Sequence, residues 1–536
     1  MFSVDRGQFV DTALAALAAG GGRVAVPVSA RLMSDQLTPV LAYRRLVAAD
    51  ERAAPSFLLE SVEGGERQGR HSILGAQPAI EFVARERAVR VRDRRSGEDR
   101  ALTCDDPLSA MRALTADVRL AAPEGSASAG PMIGGWAGYA SYDSVRYAEP
   151  GKLPFAGAPP DDRGLPDLHF GFYDRVAVFD HVDKVVHAIG LGLVGADDDA
   201  PEVYDRVTAG LGEMIAALQR HARPLPAGLV TDAPASALGS NLTPQSHRAM
   251  VERAKAHIAA GDIFQVVLGQ RFERRSRADP FDVYRALRVV NPSPYMVYMQ
   301  AEGCILVASS PEILCRVRRR VDGALTVTNR PLAGTRRRGA TPEEDAALQA
   351  ELLADPKERA EHIMLVDLGR NDAGRVSAPG SVRLESVMDV ERYSHVMHLS
   401  STVTGTLRQG LDMWDALRAA LPVGTISGAP KIRAMQIIDE LEPVRRGPYG
   451  GGMGYAGITG EMDMALALRT IVAPTDRFDG RTWEYHIQAA GGIVADSDPD
   501  AERRETVNKA AALARAIELA ERAFGDEGVP PAGDGA

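Results

Sequence analysis

Cysteine is scarce: the 536 residues hold three, Cys104, Cys304 and Cys315. Their spacing matches no metal-binding pattern, and three are too few for a disulfide framework, so a reducing, cytoplasmic setting is expected. No apolar run reaches the roughly 18 residues that a membrane-spanning helix needs. The mildly apolar stretch 12–19 is mostly alanine, follows Asp5 and Asp11, and runs into three glycines. It lacks the basic start and strong apolar core of a secretory leader and reads as a short amphipathic helix. Positive charge is outweighed, with 62 Lys and Arg against 72 Asp and Glu and a net charge of −10. That balance argues against a nucleic-acid or anionic-membrane partner. The arginine runs at 318–320 and 336–338 are local exceptions, of a kind that mostly face solvent. Neither H-E-x-x-H nor G-x-S-x-G occurs, and no cysteine has the flanking glycines of a nucleophile elbow. These absences exclude a zincin and covalent hydrolase chemistry.

What is present is an ordinary globular composition, 45% hydrophobic and 25% charged, with material for a large core. Residues 1–225 mix short strands and helices. A helix flanked by prolines is expected within 27–43, a strand at 56–61, a turn at Gly64-Gly65 and a small-residue loop at 121–130. The Pro-, Ala-, Gly- and Ser-rich stretch around 226–244 reads as the main linker. A helix at 243–259 and a strand at 262–271 open the second part, 245–524. Its last helix spans 499–524, with Leu513, Ile517, Ala520 and Phe524 on one stripe. Residues 525–536 read as a disordered tail.

Two stretches of this second part are built alike. Asp355-Pro356 opens a helix, since Asp caps and Pro fits the first helical position, and Glu358 and Glu361 then share one face. Asp498-Pro499 repeats the construction with Glu502 and Glu505. Two such starts can hold one hard divalent cation, because Mg²⁺ takes one or two carboxylates and keeps waters and substrate oxygens. A single pair would equally suit a capping box and a solvated face. The G-x-G-x-x-G at 452–457 resembles a dinucleotide fingerprint, but the Pro, Arg and Gly before it form no strand. His395 and His398, three apart, are by themselves better explained as a structural pair than as a metal site.

Together, several motifs resemble the chorismate-utilising enzymes, and most closely the large subunits (component I) of anthranilate synthases. They are residues 261–271 (GDIFQVVLGQR), 291–296 (NPSPYM), 309–314 (SSPEIL), 330–339 (RPLAGTRRRG), 358–375, 395–405, 422–435 (PVGTISGAPKIRAM), 446–455, 468–470 and 489–506. Residues 245–510 carry the likeness strongly and 25–180 more loosely. The resemblance implies an α+β fold of two stacked antiparallel sheets flanked by helices, built from two interwoven subdomains. It implies conversion of chorismate and ammonia to anthranilate and pyruvate with Mg²⁺, as the first committed step of tryptophan biosynthesis.

Carried over residue by residue, Glu358, Glu361, Glu502 and Glu505 hold the ion, with Glu361 and Glu505 the most direct. Arg469 forks onto the pyruvyl carboxylate, Tyr449 adds a hydroxyl, and Gly491 and Gly492 let backbone N–H groups approach. Thr425 lines the pocket, with Lys431 near it. Glu312 is the general acid for the leaving hydroxyl, a role that needs a raised pKa, and His398 assists loss of the C2 proton. Relatives that add water carry lysine where Gln265 stands, and those making aminodeoxychorismate carry lysine at Ala333; both positions here argue for ammonia at C2. With no amidotransferase segment in the chain, a glutamine amidotransferase partner is implied. Leu59, Glu60 and Ser61 with Asn291, Pro292, Tyr295 and Met296 match the two halves of a tryptophan feedback site, although Ser29 stands where an aromatic is common. The alternatives are an aminodeoxyisochorismate synthase of phenazine type and a non-catalytic tryptophan-binding regulator.

Overall fold

The computed structural model describes every residue except 1, 21, 49–50, 62–68, 124–129, 221–224, 231–237, 393–395 and 526–536. The Gly64-Gly65 turn, His395, most of the 121–130 loop, the middle of the linker and almost all of the tail therefore lie outside the described residues. Among the described residues the chain forms two large sheets, one of 13 strands and one of 12. Pairing is antiparallel apart from a short parallel contact between Val118–Leu120 and Arg23–Met33.

The sheets stack face to face. Phe57, Val297, Met299 and Leu306 of one pack against Ala137, Tyr139, Met453 and Tyr455 of the other. Each residue fills the gap because a strand sends alternate side chains to opposite faces. Helices cover the outer faces: Ala200–Leu218 lies on one sheet, Pro356–Val376 and Met413–Ala420 lie on strands of the other, and Lys431–Leu441 packs against strand Gln265–Ser276 of the first. Both sheets draw strands from both halves of the chain. Ser56–Glu60 pairs with Tyr295–Ala301, and Gly135–Ala140 pairs with Gly452–Gly457. The expected interwoven α+β architecture is what the chain adopts.

The glycines at 452–457 belong to that second seam. The segment is a fully buried strand, and a Cβ on Gly454 would stand 2.1 Å from the Asp463 carbonyl oxygen. They serve close strand packing rather than a phosphate.

One expectation fails. Residues 27–43 do not carry a helix from their start: Arg23–Met33 is a strand that runs straight through Pro27, and the helix is Pro39–Leu46, capped by Thr38. Pro27 is tolerated because the parallel neighbour pairs only with Arg23, Val24 and Ala25, and the next bonds on that edge, to Ser3, are made at Ser29. The strand expected at 262–271 begins at Gln265 and continues to Ser276. No helix among the described residues is long and apolar enough to cross a membrane.

Both Asp-Pro starts are formed. Asp355 accepts from the N–H groups of Lys357 and Glu358 and caps Pro356–Val376. Asp498 accepts from Ala501 and caps Pro499–Phe524, whose Leu513, Ile517 and Ala520 are buried.

Candidate active site

The two helix starts converge on one pair of glycines. Strand Trp483–Ile493 runs beside Gln265–Ser276, with Gly491 opposite Leu268 and Gly492 opposite Val267. A Cβ on Gly491 would lie 3.1 Å from Glu502 Oε2; one on Gly492 would lie 2.6 Å from Gln265 Nε2 and 3.7 Å from Glu361 Oε1. Glycine is thus what admits these side chains across the strand. Gln265 is buried, and its Nε2 donates to Glu361 Oε1 at 3.3 Å.

The carboxylates share one electrostatic neighbourhood. Burial raises the Glu361 pKa, and the charges of Glu358 and Glu505 raise it further. Burial likewise raises Glu502, which accepts from Ser497 Oγ at 2.7 Å and feels Glu505. Glu358 pairs with Arg336 at 3.1 Å and Glu505 with Lys509 at 2.7 Å. Glu361 and Glu502, raised by burial and by the neighbouring charges of Glu358 and Glu505, gain from added positive charge, which suits a hard cation with oxygen ligands. A tighter group lies elsewhere: ligand atoms of Glu273, Glu484 and His486 are within 4.8 Å of one another. Arg271 sits 3.2 Å from Glu273, and Arg275 and Arg477 sit 3.6 and 3.5 Å from Glu484. Those arginines already neutralise it, so it reads as an ion network.

Glu312 is 2% exposed, and burial pushes its carboxyl up to about 8. Thr425 Oγ1 donates to it at 2.8 Å, and the Leu332 N–H also reaches it. His398 is buried and held down at about 4, by desolvation first and then by the Arg469 charge. Its Nδ1 is 2.9 Å from the Gly334 carbonyl oxygen. Arg469 has φ 45°, a left-handed conformation costly for a side-chain-bearing residue and common at functional sites. Tyr449 is buried, and its hydroxyl takes the Ala490 N–H beside Gly491. Lys431 is bonded to the buried Asp372 and to the Pro422 carbonyl, so it braces two helices.

Two contributors escaped the sequence reading. Lys509 places its charge near Glu361, Glu502 and His398; its position four residues after Glu505 was the available signal. Arg446 is buried and donates to the Ile426 carbonyl at 2.6 Å and the Val267 carbonyl at 2.7 Å. It fixes the Thr425 segment against the Gln265 strand, which no local pattern discloses.

Comparison with known proteins places the chain in a family. The model of the chorismate binding enzyme family matches residues 55–515. The chain belongs to that family. It is 54% identical over 94% of its length to the anthranilate synthase alpha subunit 1 of Oryza sativa subsp. indica, covering 89% of that protein. It is 45% identical to anthranilate synthase component 1 of Cereibacter sphaeroides, covering 92% of this chain and 94% of the relative. The crystal structure of anthranilate synthase component I from Streptococcus pneumoniae superposes with a TM-score of 0.70 at 35% identity, over 91% of this chain and 99% of that one.

This chorismate-binding enzyme has a cavity of about 300 Å³ where the two halves meet, lined by Leu59, Glu60, Ser61, Tyr295 and Met296 with Arg316 and Asp463. Asn291 and Pro292 are not in its lining; the Asn291 amide turns to Ser309 Oγ at 2.8 Å. Glu60 is buried, already accepts from Tyr284 at 2.6 Å and from Arg288 Nη2 at 3.4 Å, and lies 2.8 Å from Arg288 Nε.

Proposed function

We propose that the chain is the aminating large subunit of an anthranilate synthase, converting chorismate and ammonia to anthranilate and pyruvate. The meeting of both acidic helix starts at Gly491–Gly492, with Gln265 rather than a cation lying across Gly492, carries this reading. Ammonia has its own lone pair and needs no general base at C2, so a neutral amide suffices there. The Glu312 carboxyl, largely protonated at neutral pH, gives its proton to the C4 hydroxyl as the C–O bond breaks. Arg469 holds the pyruvyl carboxylate. His398, neutral in its buried setting, takes the C2 proton as the C3–O bond breaks and pyruvate leaves. Glu361 and Glu505, with Glu358 and Glu502 beside them, would hold Mg²⁺, which would supply positive charge against the ring carboxylate.

Ammonia is supplied from glutamine by an amidotransferase partner, a reading that the relatives' names, alpha subunit and component 1, support. The cavity at Leu59–Ser61 and Met296 takes L-tryptophan as feedback inhibitor. A cytoplasmic or plastid setting suits its unpaired thiols; the plant relatives are named chloroplastic. The test is anthranilate fluorescence with chorismate and ammonium salt, with and without a chelator and with and without tryptophan. Absence of anthranilate overturns the reading, and an aminated product without pyruvate favours the aminodeoxyisochorismate alternative.

A further inference from the structure

Strand Leu332–Arg337 touches three groups of the site. Leu332 N–H reaches Glu312, Arg336 pairs with Glu358 at 3.1 Å, and between them Gly334 and Thr335 meet His398. Against strand Val396–Thr406, Ala333 pairs with Leu399 and Thr335 with His398, so Gly334 is an inserted residue. Its φ of 68° is left-handed, as the first position of a glycine bulge requires. The bulge turns the Gly334 carbonyl out of the ladder to 2.9 Å from His398 Nδ1, while Thr335 Oγ1 stands 3.0 Å from the same nitrogen. A carbonyl oxygen only accepts. Nδ1 therefore carries the ring proton, the Thr335 oxygen accepts as well, and the lone pair is on Nε2.

We propose that the bulge at Gly334–Thr335 is a positioning device that fixes His398 as the Nδ1–H tautomer, leaving Nε2 to accept the C2 proton, so that these two residues govern whether amination proceeds to aromatisation. The inference rests on the function proposed above. In the step concerned, Nε2 takes the proton from C2. The C–H electron pair becomes the C2–C3 double bond, and the C3–O pair leaves on the enol oxygen of pyruvate. Neither Gly334 nor Thr335 touches a reacting atom in this scheme; both act through His398.

The test uses the full chain with Mg²⁺, chorismate and ammonium salt, and reads the share of aminated, non-aromatic intermediate in quenched single turnovers. Loss of one hydrogen bond to the imidazole is expected to raise that share by up to about tenfold. Gly334→Ala meets both the left-handed backbone and Glu358 Oε2 at 3.2 Å, so Thr335→Val is the cleaner variant and decides the matter if the first does not fold. Thr335→Val is expected to raise the share with little change in the KM for chorismate, and Thr335→Ser to restore it. The ¹⁵N spectrum of labelled histidine, with His398 assigned by its loss in His398→Gln, is expected to show the proton on Nδ1. A proton on Nε2, or an unmoved intermediate share in Thr335→Val, overturns the inference while leaving the enzyme's activity intact. Failure of the unaltered chain to aminate chorismate instead removes the reading beneath it.

Discussion

At the scale of single residues, the burial of Glu312 makes the sharpest demand. With its pKa near 8, the acid form falls away as pH rises through that value, so kcat/KM should show an alkaline limb there. Thr425 donates to this carboxyl and so favours its ionised form. Thr425→Val should therefore move the limb to higher pH, and a limb that stays in place removes Glu312 as the acid. Glu312→Gln should cost about 10²–10⁴ in rate, the usual worth of a positioned acid, with the folded state retained by circular dichroism. The sequence disclosed Glu312 only through its motif. Its desolvation depends on strands brought in from residues 332 and 466, a fact of tertiary contact that no local spacing contains.

The two capped helices set the next scale. Their starts were legible because Asp-Pro, a cap and a first-turn proline, acts within a few residues. Strand Arg23–Met33 was not, because whether Pro27 breaks it depends on how far a neighbouring strand extends. The same helices predict how charge is spent. Burial and the charge of Glu358 both raise the Glu361 pKa, so Glu361→Gln removes a repulsion. Thermal stability without metal should hold or rise, while Mg²⁺ titration by calorimetry should show weakened binding; unchanged Mg²⁺ affinity would count against Glu361 as a ligand. Lys431 is braced on Asp372, whose carboxyl burial pushes up to about 6. Lys431→Met leaves that carboxyl buried without its partner, a loss of about 3 kcal/mol in chemical denaturation. Because the folded pKa is raised, the fold favours the protonated form, and stability drains as pH rises through that pKa. The variant should therefore lose more at pH 8 than at pH 5, and an equal loss at both would place the role of Lys431 elsewhere.

Across the whole molecule, the seam between halves joins the cavity at Leu59–Ser61 to the residues around Glu312. Pro311 and Ile313 line the proposed tryptophan site, and Glu312 between them points the other way, to Thr425. Alternation along an extended segment puts neighbours on opposite faces, so a ligand pressing on Pro311 and Ile313 acts on the acid through one residue of backbone. The register of this strand also shifts between Ile313 and Cys315, which places an irregular, less tightly paired segment between that cavity and Glu312. Tryptophan binding should raise the melting temperature of the chain, since a ligand held at about 100 times its Kd adds about 2.7 kcal/mol to the native state. Ile313→Ala should keep that rise at saturating tryptophan yet retain more turnover than the unaltered chain, because the side chain that transmits the push is gone. Met296→Ala should weaken the rise and the inhibition together. If Ile313→Ala is inhibited as fully as the parent at matched occupancy, the tryptophan cavity acts on Glu312 by another route, such as a change in how the interwoven halves sit across the Met296–Glu60 pairing.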